Sequence, residues 1–209
     1  MIKITIPNNN IKERKYILDT MFDEFLGLDF DVVVGDSINW EIEVENNSKL
    51  IVTDYFFNKY QKDLEYLNLE NIPTKVEFAQ NEFTPEKDIP VIYGNTKLET
   101  NKELKIIICE VDIFASSFFM LTRWEEYVNK TRDSHDRFSA TESLSYKQEF
   151  LDRPVVNEYV EMLWNMLVNL GYAGERKDRE FKVVPSHDVD NAFYWKTNNF
   201  ILRTLAGDV

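Results

Sequence analysis

The sequence has very little cysteine and histidine and no long apolar run. Among its 209 residues, Cys109 is the single cysteine, and His135 and His187 are the two histidines. One cysteine excludes a disulfide within the chain, and its place in an apolar run favours a buried, unreactive thiol. No stretch approaches the roughly 20 apolar residues that cross a bilayer. The N-terminus alternates like a strand and lacks the features of a signal peptide, so we expect a cytoplasmic protein with no membrane partner.

Basic residues are fewer than acidic ones. The chain carries 37 acidic residues against 24 Lys and Arg, a net charge of −13. Such a field repels phosphate backbones and anionic lipid surfaces, which argues against nucleic acid as a partner. Hydrophobic residues make up 44% of the sequence and include 15 Phe, 10 Tyr and 4 Trp. This supply is enough for the core of a globular domain.

The apolar pattern changes repeatedly between a period of two and a helical period, which predicts an α/β fold with a mixed sheet flanked by helices. The run at 104–111 is the most hydrophobic of the predicted strands, so we expect a central strand that is covered on both faces. The Glu side chains that alternate over 40–45 are expected on a solvated face of the sheet. Strands are predicted at 2–6, 30–34, 40–44, 49–53 and 104–111, with short edge strands at 75–78 and 91–93. Helices are predicted at 11–26, 55–67, 112–127 and 155–170.

Two acids follow an apolar strand that is predicted to end near Ser186. In an extended strand Ser186, Asp188 and Asp190 point to one side, and His187 and Val189 point to the other. Two carboxylates that share a site repel each other unless a cation lies between them. The spacing therefore leaves two interpretations open: a place for a metal ion and a base, or a solvated acid pair of which one member caps the next helix.

The segment 186–190, Ser-His-Asp-Val-Asp, resembles the first motif of the polysaccharide deacetylase (NodB-homology) family. The resemblance implies that Asp188 is the catalytic base and that Asp190 is a ligand of a divalent metal, usually zinc. His187, on the opposite side of the strand, is expected to support the site from behind or to pack in the core. The family completes its metal site with a His-x-x-x-His motif, which this chain lacks.

A second resemblance lies upstream, in Arg-Trp-Glu-Glu at 123–126, the charged loop 133–138 and Asp-Arg-Pro at 152–154. These segments resemble the N-terminal accessory region of certain bacterial polysaccharide deacetylase-like proteins. Arg123 and Arg137 are forked donors that suit carboxylates, which predicts a polar cluster between two domains. Alternatively, these arginines and His135 reach an anionic or sugar substrate. Trp124 either stacks on a sugar ring or belongs to the core.

These observations predict an accessory α/β domain at 1–175, a charged linker, and at 180–209 the first strand and helix of a (β/α) barrel-type deacetylase domain. Only 19 residues follow Asp190, whereas a barrel needs about 200, so we expect a fragment of a longer parent. The parent is expected to be a metal-dependent hydrolase of acetylated glycans, and this chain to be inactive alone and without tightly bound metal. The alternative is a non-catalytic glycan- or protein-binding module.

Overall fold

The computed structural model describes residues 2–178 and 180–186. The chain divides into two compact units, Met1–Lys177 and Asp178–Val209. In the second unit, the described residues 178 and 180–186 are exposed and form no helix or strand. The fold is therefore that of the first unit.

The first unit contains eight strands and five α-helices among its described residues. The strands are β1 (Ile2–Pro7), β2 (Phe30–Gly35), β3 (Trp40–Glu43), β4 (Lys49–Val52), β5 (Glu77–Ala79), β6 (Ile89–Val91), β7 (Gly94–Asn101) and β8 (Ile106–Val111). The helices are α1 (Ile11–Leu18), α2 (Ile113–Thr122), α3 (Trp124–Val128), α4 (Leu144–Lys147) and α5 (Val155–Asn169). A π-helical segment, Asp19–Leu26, continues α1.

Six strands form one mixed sheet in the order β2-β1-β3-β4-β8-β7, and β5 pairs with β6 in a small second sheet. The pairs β1/β2 and β4/β8 are parallel. Strand β3 is antiparallel to both β1 and β4, so β1, β2, β4 and β8 all run in one direction. The predicted mixed sheet flanked by helices is confirmed.

One face of this sheet carries the core. Alternate side chains of β1, β4 and β8, such as Ile4, Leu50 and Ile107, are fully buried in one cluster with residues of α1, α2 and α5. On the other face the side chains are half-buried or exposed, and Lys49 lies between Glu41 (2.9 Å) and Glu43 (3.6 Å). The Glu side chains of β3 therefore lie on a solvated face, as predicted.

Strand β8 differs from its prediction. Ile106 and Ile108 point to the solvated face and are half-buried, while Ile107 and Cys109 are buried. The expectation of a strand covered on both faces is therefore wrong. A mostly apolar run also suits a strand whose second face is shielded only by its neighbours within the sheet.

Several element boundaries follow local chemistry. Gly27 ends the first helical segment at a positive φ of 67°, and Pro154 precedes α5. The predicted helix at 55–67 is absent, and this stretch contains only a 3₁₀ turn, Phe57–Lys59. The predicted helix at 112–127 is divided into α2 and α3 at Arg123, whose φ is 52°. Strand β7 was not predicted because Leu98 is its only apolar residue, and pairing with β8 defines it.

Candidate functional site

The parallel strands β1, β4 and β8 end at the same edge of the sheet, and a polar residue follows each of them. These residues are Asn9 after β1, Asp54 after β4 and Asp112 after β8, and all three are buried. The carboxyl edge of a sheet is where ligands of open α/β proteins commonly bind. This edge is therefore the first place to look for a functional site.

Arg14 of α1 and Asp54 form a fully buried ion pair. The Arg14 guanidinium also donates to the backbone oxygen of Asn9 (2.8 Å) and to its side-chain oxygen (2.6 Å). It lies 4.6 Å from the centroid of the Trp40 ring. Burial lowers the pKa of Arg14 and raises the pKa of Asp54, while their mutual attraction opposes both shifts. Loss of either partner would leave an uncompensated buried charge, so the pair holds the start of α1 to the end of β4.

Asp112 connects three segments of backbone. One carboxylate oxygen accepts from the N–H groups of Tyr55 (2.9 Å) and Phe56 (3.1 Å), and the other accepts from the N–H of Ala115 (3.0 Å). The backbone N–H of Asp112 donates to the Tyr93 carbonyl (3.0 Å). Burial and the nearby charge of Asp54 raise the pKa of Asp112 to about 7. Asp112 therefore caps α2 and also fixes the chain after β4, while its backbone joins it to the segment before β7.

Asn9 and Asn10 hold the far end of the same loop. The Asn9 amide donates to the carbonyl oxygens of Phe57 (2.8 Å) and Tyr60 (2.9 Å), and the Asn10 amide also donates to the Tyr60 oxygen (2.9 Å). The Asp54 carboxylate accepts from the backbone N–H of Asn58 (3.2 Å). Side chains from the ends of three parallel strands thus fix the loop 54–60, although it contains only one 3₁₀ turn.

A groove of about 390 Å³ opens beside this loop, and we call it the strand-end groove. Its volume falls within the range of about 300–1,000 Å³ that is usual for small-molecule sites. The rings of Phe56 and Tyr93, with centroids 4.3 Å apart, lie among its lining residues. The lining comprises Tyr55, Phe56, Lys59, Tyr60, 70–73, Lys75, Glu77 and 91–95.

Gly94 gives the groove part of its shape. Its φ is 101°, and a Cβ at this position would lie 2.1 Å from the Glu110 carbonyl oxygen and 2.7 Å from the Asp112 nitrogen. Only glycine tolerates both the positive φ and this close approach of two backbones. The sequence therefore fixes how closely the start of β7 approaches the end of β8.

The four upstream residues that were predicted to contact substrate or another domain lie away from the groove lining. Arg123 is exposed and donates through Nε to Glu126 (2.6 Å). Trp124 is buried and packs on Phe56 and Phe119, with ring centroids 6.0 and 5.2 Å away. It belongs to the core, which was one of the two interpretations that the sequence left open.

His135 and Arg137 lie on one exposed loop, and hydrogen bonds to the Asp133 side chain hold this loop in shape. Asp133 accepts from the backbone N–H groups of His135 (2.8 Å) and Arg137 (3.0 Å), and its second oxygen accepts from the Arg137 guanidinium (3.1 Å). Arg132 donates to the backbone oxygen of Glu126 (3.0 Å), the residue that also binds Arg123. Arg123 and the loop 132–137 therefore both contact α3 through Glu126. Arg123 and Arg137 each pair with a carboxylate, as the sequence predicted for these forked donors.

His187, Asp188 and Asp190 lie outside the described residues, and their predicted roles stay predictions. Within residues 2–178 and 180–186, no three His, Cys, Asp or Glu side chains are grouped so that they could hold a metal ion. In the same residues, no helix is both long and apolar enough to cross a membrane.

Most of the residues that hold the strand-end groove were not predicted from the sequence. Asp112 was predicted only as a helix cap, Asn9 only as part of a turn that could cap the helix at 11–26, and Arg14 and Asp54 were given no role. The available signal was a polar residue just after each predicted strand at 2–6, 49–53 and 104–111. Using that signal requires knowing that these strands are parallel, and the parallel arrangement depends on strand order.

The geometry defines an α/β protein with a mixed sheet, helices on one face and a small-molecule-sized groove at the strand ends. Residues 2–172 match the model of a family of unknown function, DUF7033, and the chain belongs to that family. No curated protein and no solved structure matched the chain.

Proposed function

We propose that the chain is the N-terminal part of a metal-dependent polysaccharide deacetylase-like hydrolase that acts on acetylated glycans. One observation carries this proposal: the segment 186–190 has the residues of the first deacetylase motif, in the order that the resemblance requires. In the proposal, residues 1–175 form an accessory domain, and 180–209 begin the (β/α) barrel-type domain. The chain alone has no deacetylase activity.

Asp188 and Asp190 carry the proposed chemistry. Asp188 takes the proton of the attacking water, and Asp190 is one ligand of a divalent metal, zinc by resemblance. The metal supplies Lewis acidity toward the carbonyl group that is attacked. A catalytic zinc usually has three protein ligands, and the described residues offer no such set. In the proposal, the remaining ligands come from a later part of the parent.

The apolar sequence at the start of the second unit favours a barrel strand in the parent, whereas residues 180–186 form no strand in this structure. Phe181, Val183 and Val184 are 92%, 72% and 83% exposed. Apolar side chains in succession are typical of a parallel strand that is buried on both faces. We infer that further strands of the deacetylase domain cover them in the parent. Arg123, His135 and Arg137 are exposed, and their contact with a substrate or with another domain stays a prediction.

Substitution of Asp188 in the full-length parent tests the proposed function. We expect Asp188→Asn to reduce acetate release from an acetylated oligosaccharide by about 10²–10⁴-fold, because it removes the general base. Asp190→Asn should lower the zinc content of the purified parent, measured by elemental analysis. Asp63→Asn, at an exposed position that does not line the strand-end groove, is the matched control and should change neither quantity.

Two outcomes would contradict the proposal. Unchanged turnover in a folded Asp188→Asn parent would rule out this residue as the base. Metal-dependent acetate release by the 209-residue chain alone would show that it is not an inactive part.

A non-catalytic glycan-binding module is the second candidate. The strand-end groove favours it, because the groove is concave, partly aromatic and held by a buried polar network. Glycan binding by a parent that never releases acetate would select this function.

A further inference from the structure

We propose that the strand-end groove is a binding site for a neutral oligosaccharide, with one sugar ring packed on Tyr60. The inference rests on the proposed function for the choice of a glycan. It goes further because it places recognition in the first unit, on residues that have no part in the chemistry of Asp188 and Asp190.

Tyr60 offers an aromatic surface on a fixed backbone. Its side chain is partly exposed, and its ring meets Phe56 edge-on with centroids 5.3 Å apart. Asn9 and Asn10 both donate to its carbonyl oxygen, each at 2.9 Å. A phenol ring combines a flat apolar face with a polar tip. The face suits the C–H surface of a pyranose, and the hydroxyl suits a sugar hydroxyl at the ring edge.

The rim of the groove carries polar side chains that are not used elsewhere. Within the part of the chain that the structure describes, the side chains of Tyr60, Glu70, Lys75 and Glu77 form no hydrogen bond or ion pair. Together they present donors and acceptors around an opening. A sugar hydroxyl both donates and accepts, so a ligand rich in hydroxyl groups satisfies both kinds of partner.

The charges of the groove argue for a neutral ligand. Two lysines, Lys59 and Lys75, and two glutamates, Glu70 and Glu77, line it, so their formal charges cancel. The chain as a whole carries −13, and this field disfavours phosphates and other anions. The same field attracts cations, but the balanced rim offers them no excess of carboxylates. An uncharged polyhydroxy compound is therefore the class that fits best.

The buried network reduces the cost of binding. Asp112 holds the backbone of Tyr55 and Phe56, and Asn9 holds that of Phe57 and Tyr60. A loop that is fixed before the ligand arrives loses less conformational entropy on binding. The network explains why charged and amide side chains are buried at this edge.

Titration of the 209-residue protein with chitotetraose, an N-acetylglucosamine tetramer, tests the inference, with cellotetraose as a second neutral probe. We expect a dissociation constant of about 0.1–1 mM for at least one of them by calorimetry. Amide resonances of 55–60 and 93–95 should shift in ¹⁵N-labelled protein. Tyr60→Ala should weaken binding by about tenfold, equivalent to about 1.4 kcal/mol. Tyr60→Phe keeps the ring and should stay within about threefold of the wild type.

Tyr127→Ala is the matched control, because Tyr127 is 64% exposed and does not line the groove. It should bind like the wild type. The melting temperatures of all variants are measured first. If Tyr60→Ala is destabilised, the amide resonance shifts of the wild-type protein become the decisive measurement. The inference would be overturned if neither probe binds at about 10 mM. It would also be overturned if the resonance shifts are confined to residues outside the groove.

The two proposals can fail separately. If the parent releases acetate through Asp188 but neither probe binds the chain, the groove inference fails and the proposed function stands. If the chain binds a probe through Tyr60 but the parent has no acetate release, the groove stands and the deacetylase function fails.

Discussion

Asp112 illustrates how one buried carboxylate can organise a site without taking part in chemistry. Its two oxygens accept three backbone N–H groups, from Tyr55, Phe56 and Ala115. Hydrogen bonds to a carboxylate favour its charged form, but complete burial and the charge of Asp54 act in the opposite direction and are stronger. The residue therefore holds the groove at a cost in electrostatic free energy that depends on pH.

This cost predicts a pH-dependent stability. The pKa of Asp112 is raised from 3.8 to about 7 in the folded protein. Between these values the folded state binds a proton more tightly than the unfolded chain, so this contribution to stability is present at low pH and is lost as pH rises from about 4 to about 7. Asp112→Asn cannot titrate. We expect the free energy of unfolding of the wild type to fall relative to this variant over that range, by a few kcal/mol at most.

Urea unfolding of the two proteins at several pH values between about 4 and 8 measures this difference. A difference that stays constant with pH would contradict the raised pKa. A difference that grows in favour of the wild type as pH rises would show that hydrogen bonding to the charged carboxylate outweighs its burial.

Among the secondary-structure elements, the junction between α2 and α3 shows a local rule that tertiary packing overrides. The apolar periodicity of 112–127 predicts one helix, yet Arg123 has a left-handed conformation with φ 52°. The break turns Trp124 into the aromatic cluster with Phe56 and Phe119. Burial of a Trp side chain offsets the cost of one strained residue.

A pair of substitutions at Arg123 tests this geometry. A left-handed residue with a Cβ costs about 1–2 kcal/mol, and glycine avoids that cost. We therefore expect Arg123→Gly to be more stable than Arg123→Ala by about 1 kcal/mol in chemical unfolding. Both variants lose the contact with Glu126, so the comparison isolates the backbone. In a continuous helix the order would be reversed, because glycine is about 1 kcal/mol worse than alanine there.

The loop 54–60 is a second case at this scale. Its aromatic residues recur at nearly helical spacing, which predicts the helix at 55–67. In the structure Phe56 and Phe57 are both buried. Asn9 and Asn10 donate to the carbonyl oxygens of Phe57 and Tyr60, which a helix would pair internally. Asp112 accepts from the N–H of Tyr55, at the start of the predicted helix. The competing partners come from residues that are distant in sequence, so a local pattern could not reveal them.

At the scale of the whole molecule, the tertiary contacts of the first unit extend to Lys177. The backbone N–H of Lys177 donates to the Leu26 carbonyl (2.7 Å), and the Arg176 guanidinium donates to Glu161 (2.6 Å). The Arg176 guanidinium also lies 5.4 Å from the centroid of the Trp164 ring. These contacts attach the segment after α5 to the rest of the unit.

Two truncations test where the stable unit ends. A protein that ends at Lys177 should melt within about 2 °C of the whole chain, because it retains these contacts. A protein that ends at Gly174 loses them and should melt roughly 2–4 °C lower, which corresponds to about 1 kcal/mol. Differential scanning calorimetry of the three proteins decides the matter. A large loss on truncation at Lys177 would show that residues 178–209 stabilise the first unit.

The sequence by itself determined the elements whose signals are local. The alternation of β1, β3 and β4, the glycine end of the first helical segment, the Asp112 cap and the α5 helix after Pro154 all follow from nearest neighbours in the chain. The same is true of the overall class, a mixed sheet flanked by helices. Composition and charge also argue against whole classes of partner. The deacetylase motif at 186–190 is a sequence observation as well, and its role stays a prediction.

Only the tertiary structure decided where the polar residues meet. Asn9, Asp54 and Asp112 are separated by 45 and 58 positions, and they come together because β1, β4 and β8 run parallel with β3 between β1 and β4. Strand order is set by the packing of a shared core, which periodicity along one segment does not encode. The same packing left one face of β8 half-exposed, formed β7 from a polar segment and replaced a predicted helix with the loop beside the groove.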